Sequence, residues 1–190
     1  MTKSITACPM MNIFLAQKKI SHTNISKTNI DTALQYIKLD PILIYMLKLL
    51  FPRENILSIH TLEHELSLTR LDAADGNPIL FNKARYNLMK SFSSDNKYIS
   101  LDELVNYMNY LRIQYKYYIP IKTTNACIVE ASILYVLLRD TNNKMPLKWL
   151  DCFYIKEKLP FKYGYKIRQI SVTDFMSTLI YMFSRIILNI

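Results

Sequence analysis

The sequence predicts a single all-α domain spanning residues 1–190, and three observations carry that prediction. Only 2 of the 190 residues are glycine, which leaves little material for the tight turns of an all-β fold. Apolar residues recur at helical spacing in one segment after another. Hydrophobic residues make up 51% of the chain, enough for one sizeable core at this length and too many for a disordered chain.

The elements follow in order. Pro9 suits the first turn of a helix, where its missing N–H costs nothing, and Met10, Met11, Ile13, Phe14 and Leu15 carry that helix to about residue 19. Residues 21–31 read as a polar loop, with a helix over 30–38 behind it. Asp40-Pro41 opens another helix that runs to Phe51, and Pro52 ends it. A helix from Leu62 would set Glu63 and Ser67 on one face, four residues apart. After the Gly76-Asn77-Pro78 turn, residues 81–92 read as helix. Ser100-Leu101-Asp102-Glu103 is a capping box, and Leu101, Leu104, Val105, Met108 and Leu111 form the inner face behind it. Residues 125–138 are a strongly apolar helix, 146–158 an aromatic-rich one, and Ser171-x-x-Asp174 caps a last helix to about residue 187.

The formal net charge of +9 invites a nucleic-acid reading. Lys and Arg are scattered, however, and no helix-turn-helix or zinc-finger spacing accompanies them, so no nucleic-acid partner is expected. No apolar run reaches the roughly 18 residues of a membrane span. The first 16 residues loosely imitate a secretory signal, but Phe14 stands where cleavage after Ala16 needs a small residue. The segment is therefore read as part of the mature chain.

Three residues stand out chemically. Cys8 falls at the N-terminal end of the first helix, where orphan N–H groups favour an anionic sulfur. Such a thiolate can be a nucleophile or a metal ligand, or the residue can simply cap the helix. Cys127 lies in an apolar run and Cys152 beside aromatics, which marks both as core residues. Three cysteines without C-x-x-C spacing do not make a disulfide framework or a structural zinc site. Glu130 is the one charge on the apolar helix over 125–138. A carboxylate there is costly unless paired, protonated or lining a cavity, and a raised pKa would suit it to moving protons.

His60 and His64 lie four apart, as zinc ligands on a helix would, but Thr61 stands where a metalloprotease needs Glu. A protease built on Cys8 and His64 lacks its local signatures. A haem-iron thiolate at Cys8, with Glu130 and His64 as acid–base groups, is a further option; Cys ligation pushes electron density to the iron and favours O–O cleavage.

Three separated segments then bear on the choice. They are Ala7-Cys8-Pro9-Met10-Met11-Asn12, the block Glu63-His64-Glu65-Leu66-Ser67-Leu68-Thr69-Arg70-Leu71-Asp72 with Phe81-Asn82, and Glu130 followed by Glu157-Lys158-Leu159-Pro160-Phe161 and Gly164-Tyr165. Together they resemble the haem-thiolate peroxidases, the chloroperoxidase and short unspecific-peroxygenase family. The resemblance implies a helical chloroperoxidase-like fold holding haem b on Cys8. It implies that Glu130 takes the first proton of hydrogen peroxide and returns it to the departing oxygen, with His64 orienting it. It also implies a Mg2+ or Mn2+ ion held by Glu63, the carbonyl of His64 and Ser67 beside a haem propionate, hard oxygen donors suited to such a cation. A small organic substrate, or halide, would be oxidised. The chain departs from the family pattern at Glu65 in place of Asp, at Ala7 in place of Pro, at the Ala16-Gln17-Lys18-Lys19 turn, and at Asp75-Gly76-Asn77. Members of the family are normally secreted. The alternative is a catalytically retired helical scaffold that serves as a partner- or nucleic-acid-binding protein.

Overall fold

The computed structural model describes residues 8–21, 25–49, 56–57, 81–114 and 121–188. Its helices are α1 (Pro9–Ala16), α2 (Lys27–Tyr36), α3 (Pro41–Leu49), α4 (Lys83–Ser91), α5 (Leu101–Gln114), α6 (Ile121–Leu138), α7 (Leu147–Lys156) and α8 (Val172–Phe183). The all-α class is thus observed. Among the described residues no helix is long and apolar enough to cross a membrane.

Local chemistry starts most of these helices. Pro9 occupies the first turn of α1, and the Ser100/Glu103 capping box opens α5, with Ser100 N–H donating to Glu103 Oε2 at 2.7 Å. The Ser171 hydroxyl accepts from the Asp174 N–H at 3.0 Å and opens α8. The start of α2 differs from the sequence reading. Ser26 and Asn29 form a reciprocal box, with bonds of 3.0 and 3.1 Å, so the helix begins at Lys27 inside the stretch read as loop. Helix α6 begins at Ile121, a turn before residue 125, because packing of the long apolar run supports an extra turn that local propensity alone does not.

Helix ends also came earlier than the sequence suggested. Lys18 (φ 55°) follows α1, Lys38 (φ 56°) follows α2 and Glu157 (φ 48°) follows α7, and a left-handed residue stops helix propagation. The last helix does not run as α to 187 either; Ser184–Leu188 forms a wider π turn. Helix α5 grips that turn, since Arg112 donates to the Ile186 carbonyl and Asn109 Nδ2 to the Arg185 carbonyl at 3.3 Å. Two antiparallel pairings absent from the sequence reading tie loops together: Ile25 with Leu57 and Ser26 with Ile56, then Tyr98 with Pro146 and Ile99 with Met145.

The core centres on α6 against α8. Ile128, Ala131, Leu134, Val136, Leu137 and Leu138 of α6 are buried, with Phe175, Thr178 and Met182 of α8. Ser132 lies among them without an exposed polar atom to solvate, because its hydroxyl donates to the Ile128 carbonyl at 2.8 Å and contacts Met182 Sδ at 3.3 Å. The Arg139–Asp174 ion pair, 2.9 Å, closes the same helix pair at one end.

Candidate functional site

Cys8 is the N-cap of α1, with extended backbone (φ −100°, ψ 117°), and is half-buried. The N–H of Asn12 donates to the Cys8 carbonyl at 3.2 Å, which closes the first helical turn over it. The placement matches the sequence reading, and the amide dipoles of that turn favour a thiolate on the cap residue. Cys127 and Cys152 are buried, as read. Burial pushes the Cys152 thiol up, against the opposing fields of Lys156, Lys162 and Lys158.

The first turn of α1 is tied to a distant part of the chain. Asn12 is only 4% exposed, and its Nδ2 donates to Glu157 Oε1 at 2.8 Å across 145 residues of sequence. Glu157 reaches it from the C-cap of α7, in left-handed conformation (φ 48°, ψ 49°), a backbone state that costs a non-glycine residue about 1–2 kcal/mol. Lys158 N–H completes the turn by donating to the Cys152 carbonyl at 3.2 Å. The structure therefore joins two of the segments singled out in the sequence, the one that holds Cys8 and Asn12 and the one that begins at Glu157. The pair itself was not singled out in the sequence, although both members lie inside those segments.

Behind Glu157 the chain makes a 3-10 turn, Phe161–Tyr163, and leaves it through Gly164 at φ 81°, a conformation that glycine adopts without penalty. Trp149 of α7 braces the turn: its indole N–H donates to the Tyr163 carbonyl at 3.2 Å, and its ring meets Tyr165 edge-on at 5.2 Å. Burial holds the Tyr165 hydroxyl well above the ordinary tyrosine range.

Glu130 lies midway along α6 and is half-buried, with one carboxylate oxygen, Oε2, closed off from solvent. Its helical neighbours Cys127 and Leu134 are buried, so the residue does not sit on a solvated stripe. Glu63, His64, Glu65 and Ser67 lie outside the described residues, and with them the cation ligand set and the His64–Glu130 contact. The end of their block is described. Asn82 caps α4 by accepting from the Arg85 N–H at 2.9 Å, and the Phe81 ring lies 5.5 Å from Tyr86.

Among the described residues no group of three or more His, Cys, Asp or Glu gathers in a way that could hold a metal ion. A thiolate-ligated haem calls for a different donor: a single soft sulfur, reachable from one side and stabilised as an anion. Cys8, half-buried at a helix N-terminus, fits that demand. No protein-family model matches the chain, and no curated protein matches it.

Proposed function

We propose that the chain is a haem-thiolate peroxidase or peroxygenase that uses hydrogen peroxide to oxidise or oxygenate a small organic substrate. The observation that carries this reading is the hydrogen bond from Asn12 to Glu157, which joins the Cys8-bearing turn to the segment resembling the family's closure. Two parts of a pattern that lie far apart in sequence are in contact in space.

In this reading Cys8 holds the haem iron through its sulfur. The bound haem supplies activation of the peroxide O–O bond, with electron density fed from the sulfur. Glu130 accepts a proton from the peroxide and delivers it to the departing oxygen, which leaves as water. The closed-off Oε2 of Glu130 suits that task, because a carboxylate oxygen away from bulk water exchanges its proton with a bound partner rather than with solvent. His64 orients Glu130. Glu63, the carbonyl of His64 and Ser67 hold Mg2+ or Mn2+, roles that rest on the resemblance alone.

The test is reconstitution with haem b. The loaded protein is expected to give a thiolate-type ferrous–CO spectrum, and Cys8→Ser to lose it; an unchanged spectrum in the variant removes Cys8 as the ligand. Glu130→Gln is expected to keep the haem and lose roughly 10²–10⁴-fold in peroxide-dependent turnover, the usual worth of acid–base assistance. Full turnover in Glu130→Gln would take that residue out of the mechanism. No haem uptake by the wild-type chain would leave a non-catalytic scaffold as the better reading.

A further inference from the structure

The turn that follows α7 presents a surface for which neither Cys8 nor Glu130 gives any use. Ile155, Lys156, Lys158, Phe161, Lys162, Gly164 and Lys166 are exposed along it. Lys156, Lys158 and Lys162 lie close enough together that all three act on the same buried thiol, Cys152. Lys156 Nζ approaches the Tyr163 hydroxyl at 3.4 Å, and Lys162 Nζ stands 4.8 Å over the Tyr163 ring. Among the described residues none of the three lysines makes an ion pair. The acid within the run, Glu157, is turned inward onto Asn12. The three lysines are thereby exposed together on one turn.

Between these cations, apolar groups face solvent. Phe161 is 46% exposed and Ile155 41% exposed. An exposed cation cluster alone is a solvated face that any polyanion could meet. Aromatic and aliphatic side chains standing among the cations fit a partner that is anionic at its surface and apolar just beneath it. An anionic lipid bilayer has that profile: headgroups attract the lysines, and the headgroup–acyl boundary accepts Phe161, Ile155 and the ring of Tyr163.

We propose that the Ile155–Lys162 face docks the protein peripherally on an anionic lipid surface. Lysines supply the electrostatic attraction and Phe161 inserts. Docking needs no haem, so it stands or falls apart from the peroxidase reading.

The experiment is sedimentation of the full-length chain with vesicles of phosphatidylcholine alone or with added phosphatidylserine. Trp149 is the single tryptophan of the chain and braces this turn, so its emission reports contact independently. Binding is expected to the anionic vesicles only, with a change in Trp149 emission and loss at high salt. The double variant Lys156→Glu/Lys162→Glu is expected to lower partitioning by roughly tenfold or more. Phe161→Ser should weaken it several-fold while melting as the wild type does. Equal binding to neutral vesicles, or undiminished binding by the charge-reversed variant, would overturn the proposal. So would binding to heparin with none to anionic vesicles, which would make the face a general polyanion site.

Discussion

Glu130 and Cys8 are held in different ways. Glu130 sits on α6, whose buried residues Ile128, Ala131 and Leu134 pack it into the centre of the core against α8. Cys8 sits at the end of an eight-residue helix whose Ile13, Phe14 and Leu15 are buried in the same core and whose Asn12 reaches Glu157, itself mounted on a left-handed cap. Apolar burial spreads its stabilisation over many atoms, none of them decisive. A hydrogen bond concentrates it in one pair of groups, and removing either partner costs the other that bond. Glu130 thus rides on a helix set by apolar packing, and Cys8 on a short helix that adds a long-range hydrogen bond to its apolar packing.

The largest effect is expected at the apolar end. Ile128→Ala empties a fully buried position and should lower the free energy of unfolding by about 2–5 kcal/mol, read by urea denaturation. A loss well below that range would mean that α6 collapses into the space and is not the rigid member of the pair. At the polar end, Glu157→Ala should cost about 1–3 kcal/mol by removing the acceptor of the Asn12 amide. Its signature should be local: protection of the α1 amides falls in hydrogen exchange while α6 amides keep theirs. Glu157→Gln retains an acceptor oxygen and should restore most of that protection. Equal losses in α1 and α6 would show that the two ends are not separable.

A smaller change tests the core end again from its capping side. Ser171→Ala removes the acceptor for the Asp174 N–H and should cost about 1 kcal/mol, seen as a lowered thermal midpoint. The smallest effect is in acid. Burial acts to raise Glu103, but hydrogen bonds from Ser100 and Ser94 outweigh it and hold the carboxyl below its ordinary value. A depressed folded pKa contributes stability that is present above the unfolded value near 4.5 and is lost as pH falls below it. Ser100→Ala should therefore lower stability modestly at neutral pH and flatten the acid limb, the two stability–pH curves converging in acid. An unchanged acid limb would assign the acid loss to other carboxylates.

What the sequence made legible follows the same divide. Features set within one or two turns could be read: Pro9 and the Cys8 cap, the Ser100/Glu103 box, the Ser171/Asp174 cap, and the half-burial of Glu130 among apolar neighbours. The Ser26/Asn29 box was missed because Asn, rather than Glu or Gln, closes it. Helix ends at Lys18, Lys38 and Glu157 were placed late because lysine and glutamate do not announce a left-handed backbone as glycine does. The Asn12–Glu157 bond spans 145 residues, and no local pattern encodes a contact at that separation. Its members were visible only as parts of a resemblance. Glu63, His64 and Ser67 remain tied to that resemblance, since they lie outside the described residues.

The buried Tyr165 sets a limit of a different kind, at the alkaline end. Its hydroxyl is shielded on the inner side of the turn that Trp149 braces, so the folded chain keeps this proton far beyond the point where an unfolded tyrosine, near 10, releases it. Above that pH the unfolded chain binds fewer protons than the folded one, and the balance tilts steadily toward unfolding. Alkali therefore acts on this corner as a solvent-borne wedge. The turn beside Glu157 should be among the first parts of the protein to open in base, and spectrophotometric titration of tyrosine should show it as a late, cooperative step.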